Sequence, residues 1–465
     1  MNRNLILNSL EFLHGLLSKI FPPCPGLVRA PNMYVETLGL LGLFLYLASF
    51  NLHDDLFGAA EIIIVFSFFM SWRSWSCLYA KPLFWMACLW LFAVAASAIA
   101  GIHNFPQIPV LEQLDESRRM LLYSLFIVIG WWTGPNPIAI RNAFLIACLG
   151  FVASSVSWLL DWDLLLAMLE GDRPGRKILG LWTNQYACWA GYLLLGVAFL
   201  GRNLIPDWLK TGRKIYPAYF LLFGIVVCLT LAVYITQTRT IWFSVIISLV
   251  LGTLLAVYGC RKTWLSMRTL ATPLLIFFMI ILISVFYFDA LKDRFAQESA
   301  TIKKVLSGDA EQVELTSLGI RIHAYQWALE LDSFVSVFGW GPLATSTVSE
   351  NEELRIKHEW PQGFTMVHLH NNILEILFRA GIVGLTAILS IILLFFINII
   401  YLYRHEHMPS CFPVFMITTL FYFVFSGMTT YNMRIDALFP ILGGLIFSAT
   451  LITGGDNQES EQLSE

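Results

Sequence analysis

The run from His370 to Tyr403, HNNILEILFRAGIVGLTAILSIILLFFINIIYLY, decides how this chain is built, because a polar cluster passes without interruption into an apolar stretch. A bilayer's hydrocarbon core, about 30 Å thick, takes roughly 20 residues of helix to cross, and residues 380–403 supply them. Apolar runs of the same kind recur along almost the whole length. We place about twelve spans, at roughly 36–52, 56–72, 82–102, 119–134, 141–160, 185–201, 216–236, 240–259, 270–289, 380–403, 412–429 and 436–453. Composition agrees: 57% of the chain is hydrophobic, 13% is charged and the mean hydropathy is +0.68, whereas a soluble domain carries about 25% charged residues. The expected fold class is therefore an all-α polytopic membrane protein. A polar cluster at a membrane boundary in such a chain calls for an explanation by function or by anchoring.

Basic residues in short loops orient the bundle. Arg202, Lys210, Arg213 and Lys214 follow span six, Arg261, Lys262 and Arg268 follow span eight, and Arg3, Lys19 and Arg29 precede span one. The N-terminus and the even-numbered exits are accordingly read as cytoplasmic. Residues 5–21 are apolar on average but contain Glu11, His14 and Lys19, the pattern of an interfacial helix rather than a cleaved signal. The expected organisation is an interfacial helix and nine spans over 1–289, one large loop on the outer face over 290–370, spans ten to twelve over 371–453, and a disordered cytoplasmic tail over 454–465. Cys88, Cys148, Cys188 and Cys228 fall within spans, and Cys24, Cys77, Cys260 and Cys411 on segments read as cytoplasmic. That distribution suits reduced thiols, and no spacing suggests a disulfide framework or a metal site. The net charge of -3 says little about partners, and nothing resembles a nucleic-acid-binding surface.

Polar chemistry gathers on the outer side. Within the large loop, Arg321–Leu331 has Ile322, Tyr325, Ala328 and Leu329 at helical spacing, a turn follows at Phe338-Gly339-Trp340-Gly341-Pro342, and the polar run 346–357 reads as a mobile flap. Residues 161–184 hold a small basic turn with Arg173, Arg176 and Lys177, which also reads as an ordinary solvated loop. The tight junction Thr236-Gln237-Thr238-Arg239-Thr240 puts Arg239 at a span boundary, where snorkelling to headgroups is the alternative to a functional role. Arg321 equally reads as a partner for local carboxylates, and His370 as a polar residue at a helix entry. Asn372 with Glu375 three residues on resembles a capping box, predicting a helix that begins near Asn371 and runs into span ten.

Taken together these residues resemble the O-antigen ligase family of bacterial envelope glycosyltransferases, which includes related O-antigen polymerases and protein O-oligosaccharyltransferases. His370, Asn371, Gly381 and Gly384 match its pattern His-[Asn/Ser/Gln]-x9-Gly-x-x-Gly without a gap. The family's arginine at the outer end of a span pair before the loop corresponds to Arg239, and its arginine within the loop, ahead of an aromatic residue, to Arg321 and Tyr325. A departure lies at Gly180-Leu181-Trp182-Thr183-Asn184-Gln185, where relatives often carry Pro-Asn.

The resemblance implies a glycan on undecaprenyl diphosphate as donor, a sugar hydroxyl of lipid A-core or of another glycan as acceptor, and a site facing the periplasm from the inner membrane. It implies His370 as the base and Arg239 and Arg321 as holders of the diphosphate, with Arg173, Arg176, Lys177, Asn371 and Tyr325 as further substrate contacts. Diphosphate is already a good leaving group, so no cofactor or metal is required. Positive charge and a proton acceptor suffice. The helix N-terminus beside His370 would favour neutral imidazole, its free N–H groups could face phosphate, and Gly381 and Gly384 would let helices pack closely. The motif tilts the reading to ligase over polymerase, and no extra C-terminal region supports a protein O-oligosaccharyltransferase. A transporter would place ionisable groups deep in its spans, where this chain has few, Glu61 near the outer end of span two being among the clearest.

Overall fold

A computed structural model describes residues 3–24, 27–50, 54–159, 177–178, 181–205, 215–236, 238–259, 276, 278, 292, 299, 301–307, 317–330, 335–350, 366–405, 407–434 and 437–451. The described chain is helical apart from one antiparallel pair of two-residue strands, β1 (Lys177–Ile178) and β2 (Leu181–Trp182). Helices α1 (Arg3–Ile20), α2 (Met33–Ser49), α3 (Asp54–Met70), α4 (Ser76–Tyr79), α5 (Pro82–Asn104), α6 (Val110–Leu121), α7 (Leu125–Thr133) and α8 (Pro137–Leu159) precede the strands. After them come α9 (Thr183–Leu200), α10 (Ile215–Ile235), α11 (Arg239–Gly259), α12 (Ser317–Glu330), α13 (Ala344–Ser349), α14 (Asn372–Arg404), α15 (Cys411–Gly427) and α16 (Leu438–Thr450).

Among the described residues, five helices are long and apolar enough to cross a membrane: Pro82–Asn104, Pro137–Val156, Ile215–Ile235, Arg239–Val257 and Asn372–Arg404. Shorter apolar helices, Met33–Ser49, Cys411–Gly427 and Leu438–Thr450, complete the bundle. This is a helical, multi-pass membrane protein. Its outward faces carry large exposed side chains such as Ile62, Phe66, Ile99, Phe220 and Leu254, which suits hydrocarbon solvent in a way that water would not.

The region read as span four differs. Residues 110–133 form the polar helix α6, one turn of 3₁₀ at Leu122–Ser124 and the nine-residue α7. The Trp90 indole N–H donates to the Met120 carbonyl at 2.9 Å, drawing on a carbonyl that an uninterrupted helix would keep for Ser124. Every residue of α7 is buried, as is every residue of α16 packed against it. Gly130 and Gly444 face each other there, and the small residues let the two backbones approach. Glu61, read as one of the few mid-span ionisable residues, near the outer end of span two, lies 3.6 Å from Arg118 of α6.

Long α14 packs on α5 and α15, and α11 packs on α15 and α9. One end of this group is where the motif sits. The expected span nine lies almost wholly outside the described residues, as do most of 290–316 and the tail beyond Leu451. Helix α1 buries Leu17 while leaving Phe12 and Leu16 exposed.

Candidate active site

His370 enters the site on a short extended strap, 366–369, that leads into α14. Its backbone has φ +55, the sole described non-glycine residue with positive φ. Asn371 follows as the N-cap, its Oδ1 accepting from the N–H groups of Ile373 and Leu374. The cap is thus one residue earlier than the Asn372–Glu375 reading. Glu375 departs from a capping box too: its Oε2 accepts from the Leu369 N–H at 2.6 Å. Since Asn371 occupies these helix-terminal N–H groups, the expectation that they stand open for phosphate is corrected. The Asn371 Nδ2 donates to the Met428 carbonyl at 3.3 Å, so both ends of the amide expected to touch substrate are used within the protein.

Helix α12 lies across the strap. The buried face of α12 is His323, Ala324, Trp327 and Ala328, one position round from the stripe expected at Ile322, Tyr325, Ala328 and Leu329. That rotation turns Arg321 and Tyr325 towards the motif. The Tyr325 hydroxyl lies 3.5 Å from the His370 carbonyl and 3.4 Å from the Met428 carbonyl, and also bonds to Asn371. Burial pushes the Tyr325 hydroxyl up from its ordinary value. The structure therefore brings Arg321, Tyr325, His370 and Asn371 together.

Burial, with the Arg321 guanidinium nearby, holds the His370 imidazole down at about 4. Its buried Nδ1 has no hydrogen-bond partner among the described residues. An imidazolium must donate from both nitrogens, so an unpartnered one adds to the cost of charging the ring. The result is neutral imidazole, the state a proton acceptor needs.

Arg239 is the half-buried first residue of α11. Its neighbour Thr240 lies 3.4 Å, hydroxyl to hydroxyl, from Thr430, two residues beyond the Met428 carbonyl that receives Asn371. On the other side, the Thr238 hydroxyl donates to the Asn184 Oδ1 at 3.2 Å. Asn184 lies in the stretch that departs from the family pattern, and it ties the start of α9 to the start of α11. Lys177 pairs through its backbone with Trp182 in the small hairpin just before α9. Arg173, Arg176 and the side chain of Lys177 lie outside the described residues.

Gly381 does more than let helices approach. At φ 68 and ψ -168 it breaks α14 into two segments, and the turn expected at 338–342 lies in the gap. Ile382 and Val383 donate to the carbonyls of Ser336 and Val337 at 2.9 and 3.1 Å, while Trp340 and Gly341 donate to those of Phe378 and Arg379 at 2.9 and 3.3 Å. The backbone groups freed by the break are thereby satisfied. Of the run expected as a mobile flap, residues 346–349 belong to α13, with Ser349 buried and bonded to Met366; residues 351–357 lie outside the described residues.

Residues 224–389 match the family model described as O-Antigen ligase. This region is similar to the O-antigen ligase family. It contains Arg239, Arg321, Tyr325, His370, Asn371, Gly381 and Gly384. No curated protein matches the chain as a relative. The O-antigen ligase family implies a membrane enzyme of glycosyltransferase type with a glycan or lipid-linked substrate.

Sequence reasoning missed several groups beside His370. The His368 ring lies 4.3 Å from that of His370 and 5.8 Å from Tyr431. Arg379 stacks over Tyr431 at 5.4 Å and pairs with Glu375 and, at 2.7 Å, with Glu116 of α6. Two signals were available: the alternation His368-Leu369-His370, and a carboxylate and a guanidinium four residues apart in an otherwise apolar run. Glu116, distant in sequence, gave none.

Proposed function

We propose that this protein is an O-antigen ligase-like glycosyltransferase that moves a glycan from undecaprenyl diphosphate to a hydroxyl of lipid A-core at the periplasmic face of the bacterial inner membrane. The observation that carries this reading is the placement of neutral His370 beside Arg321 within the ligase-matching region. In a single displacement the acceptor oxygen attacks the anomeric carbon and its proton passes to His370. The bond from that carbon to the diphosphate oxygen breaks, and undecaprenyl diphosphate leaves with the electron pair. One displacement inverts the anomeric centre. Arg321 and Arg239 hold the departing diphosphate, for which a guanidinium's fixed planar donors suit phosphate oxygens. Tyr325 and Asn371, beside His370, are candidates for substrate contact, and so are Arg173, Arg176 and Lys177. The chemistry asks for no metal or cofactor.

The test is complementation of a ligase-deficient Gram-negative strain with wild type and His370→Ala, reading lipopolysaccharide beside the undecaprenyl-linked pool. Wild type is expected to restore a ladder on lipid A-core, and the variant to leave glycan on its carrier. Full transfer by the variant would remove the base assignment. Restoration of chain length in a polymerase-deficient strain, without ligase complementation, would make the protein a polymerase of the same family.

A further inference from the structure

Arg379, Glu375 and Glu116 form an ionic cluster that the transfer chemistry does not use. Arg379 is 1% exposed, Glu375 0% and Glu116 8%. All three guanidinium nitrogens of Arg379 have separate partners: Nε the Glu375 carboxylate, Nη1 the Glu116 Oε1 at 2.7 Å, and Nη2 the Val367 carbonyl at 3.1 Å. The other Glu375 oxygen takes the Leu369 N–H, and Thr345 of α13 donates to Oε1 at 2.8 Å. Ser349 meanwhile exchanges bonds with the N–H and carbonyl of Met366 at 3.0 and 3.3 Å.

These bonds pin the strap at Met366, Val367 and Leu369. The intervening and following residues are His368 and His370, whose rings face each other. Immediately beyond, the Asn371 cap fixes the start of α14. His370 is thus held between two anchored flanks at a positive φ, a conformation that persists only where the surroundings impose it. A buried ion cluster contributes little net stability compared with apolar packing of equal volume. Its presence here is better accounted for by the geometry that it imposes.

We infer that the Glu375–Arg379–Glu116 cluster is a positioning device for His370, fixing the strap so that the imidazole meets the acceptor hydroxyl in register. The inference rests on the reading of His370 as the proton acceptor. Glu375 and Arg379 act on the strap from α14, Ser349 from α13, and Glu116, through Arg379, from α6, so three elements converge on one backbone segment. Among the described residues, the charged or titratable groups around His370 are Arg321 and Tyr325 of α12, His368 of the strap, Tyr431 behind His368, and Glu375 and Arg379 of α14. A loosened strap would let water reach the ring, and the imidazole would then protonate nearer its ordinary pH.

The experiment compares the full-length wild type with Arg379→Lys and Glu116→Gln, purified in detergent. Lysine keeps the charge but cannot fork to three partners, and glutamine keeps a hydrogen-bonding oxygen at Glu116. Three quantities are read: transfer kinetics, the melting temperature, and the pH dependence of His370 carbethoxylation by diethyl pyrocarbonate, located by mass spectrometry. The last reports the neutral imidazole without any need for turnover. Both variants are expected to lose about tenfold or more in kcat with donor KM within about twofold, and to shift the carbethoxylation midpoint upward towards the ordinary histidine value. Unchanged kcat and midpoint would overturn the inference. So would a loss of activity that follows the melting temperature while the midpoint stays fixed, since that describes a structural cluster alone. Should Arg379→Lys fail to fold, Glu116→Gln and Thr345→Val carry the same readouts. Were wild type to transfer no glycan while the midpoint still moved in the variants, the transferase reading would fall and the positioning of His370 would stand.

Discussion

Gly381→Ala tests whether the first glycine of the motif is an architectural necessity. At φ 68 and ψ -168 an alanine enters a region that is close to glycine-only, at about 1–3 kcal/mol. Its Cβ would also lie 2.5 Å from the Val337 carbonyl carbon and closer still to the Gly339 nitrogen, both rigid backbone. Overpacking of that kind costs about 1–3 kcal/mol. The two together come to roughly 2–6 kcal/mol. The chain has one way to relieve the clash, which is to peel residues 336–341 away from the helix break. That route gives up the four backbone hydrogen bonds at Ile382, Val383, Trp340 and Gly341, at about 0.5–1.5 kcal/mol each, and so arrives at a similar cost. Against a typical total stability of about 5–15 kcal/mol, a large part of the margin is lost. The assay is thermal unfolding in detergent followed by tryptophan fluorescence, with Gly224→Ala as the control. Gly224 is an exposed helical residue whose added Cβ would meet nothing within 4 Å, so there alanine should be neutral or stabilising by up to about 1 kcal/mol. If Gly381→Ala melts with wild type or with Gly224→Ala, the strap and break account is wrong.

Two further outcomes follow from the site. Activity that depends on neutral His370 should hold down to about pH 4 and fall below it, and Arg321→Gln, by removing a nearby positive charge, should move that limb to higher pH. The same group bears on stability: its folded-state value lies below the unfolded one of about 6.5, so stability falls as pH drops from about 6.5 to about 4, where only the unfolded chain takes the proton. Melting curves of His370→Ala should be flatter than wild type across that window. Arg239→Ala should lower kcat by about a hundredfold or more while leaving the melting temperature nearly unchanged, and undiminished transfer in that variant would remove Arg239 from the leaving-group role.

What the sequence made legible was local. His370, Asn371, Gly381 and Gly384 lie within fifteen residues, and a helix start followed by an apolar run could be placed to within one residue of its cap. Arg321 and Tyr325 were legible as a pair on a helix, although the buried face of that helix is set by Trp327 and Ala324 packing into an apolar cluster with Phe378 and Leu369, and pattern alone put it one position away. The break at Leu122–Ser124 was not legible, because the donor to Met120 is the indole of Trp90, thirty residues earlier. Nor was the Arg379–Glu116 pair, whose members stand 263 residues apart. Periodicity reports which face a helix buries, not which distant group completes its polar contacts.

The docking of residues 336–341 into the interrupted helix also bears on how relatives of this protein can be recombined. A segment that exchanges backbone hydrogen bonds with both halves of α14 cannot be transplanted as an independent module, although its position ahead of the motif invites a chimera cut at residue 370. Such a junction would separate Ser336 and Val337 from Ile382 and Val383, and leave polar backbone exposed where the apolar helix begins. A graft intended to change acceptor preference should carry 335–350 and 366–384 from one parent, together with the α5 face around Gly101, which Gly341 and Pro342 abut. In this chain the loop ahead of the motif and the membrane helix behind it are one backbone hydrogen-bonded unit.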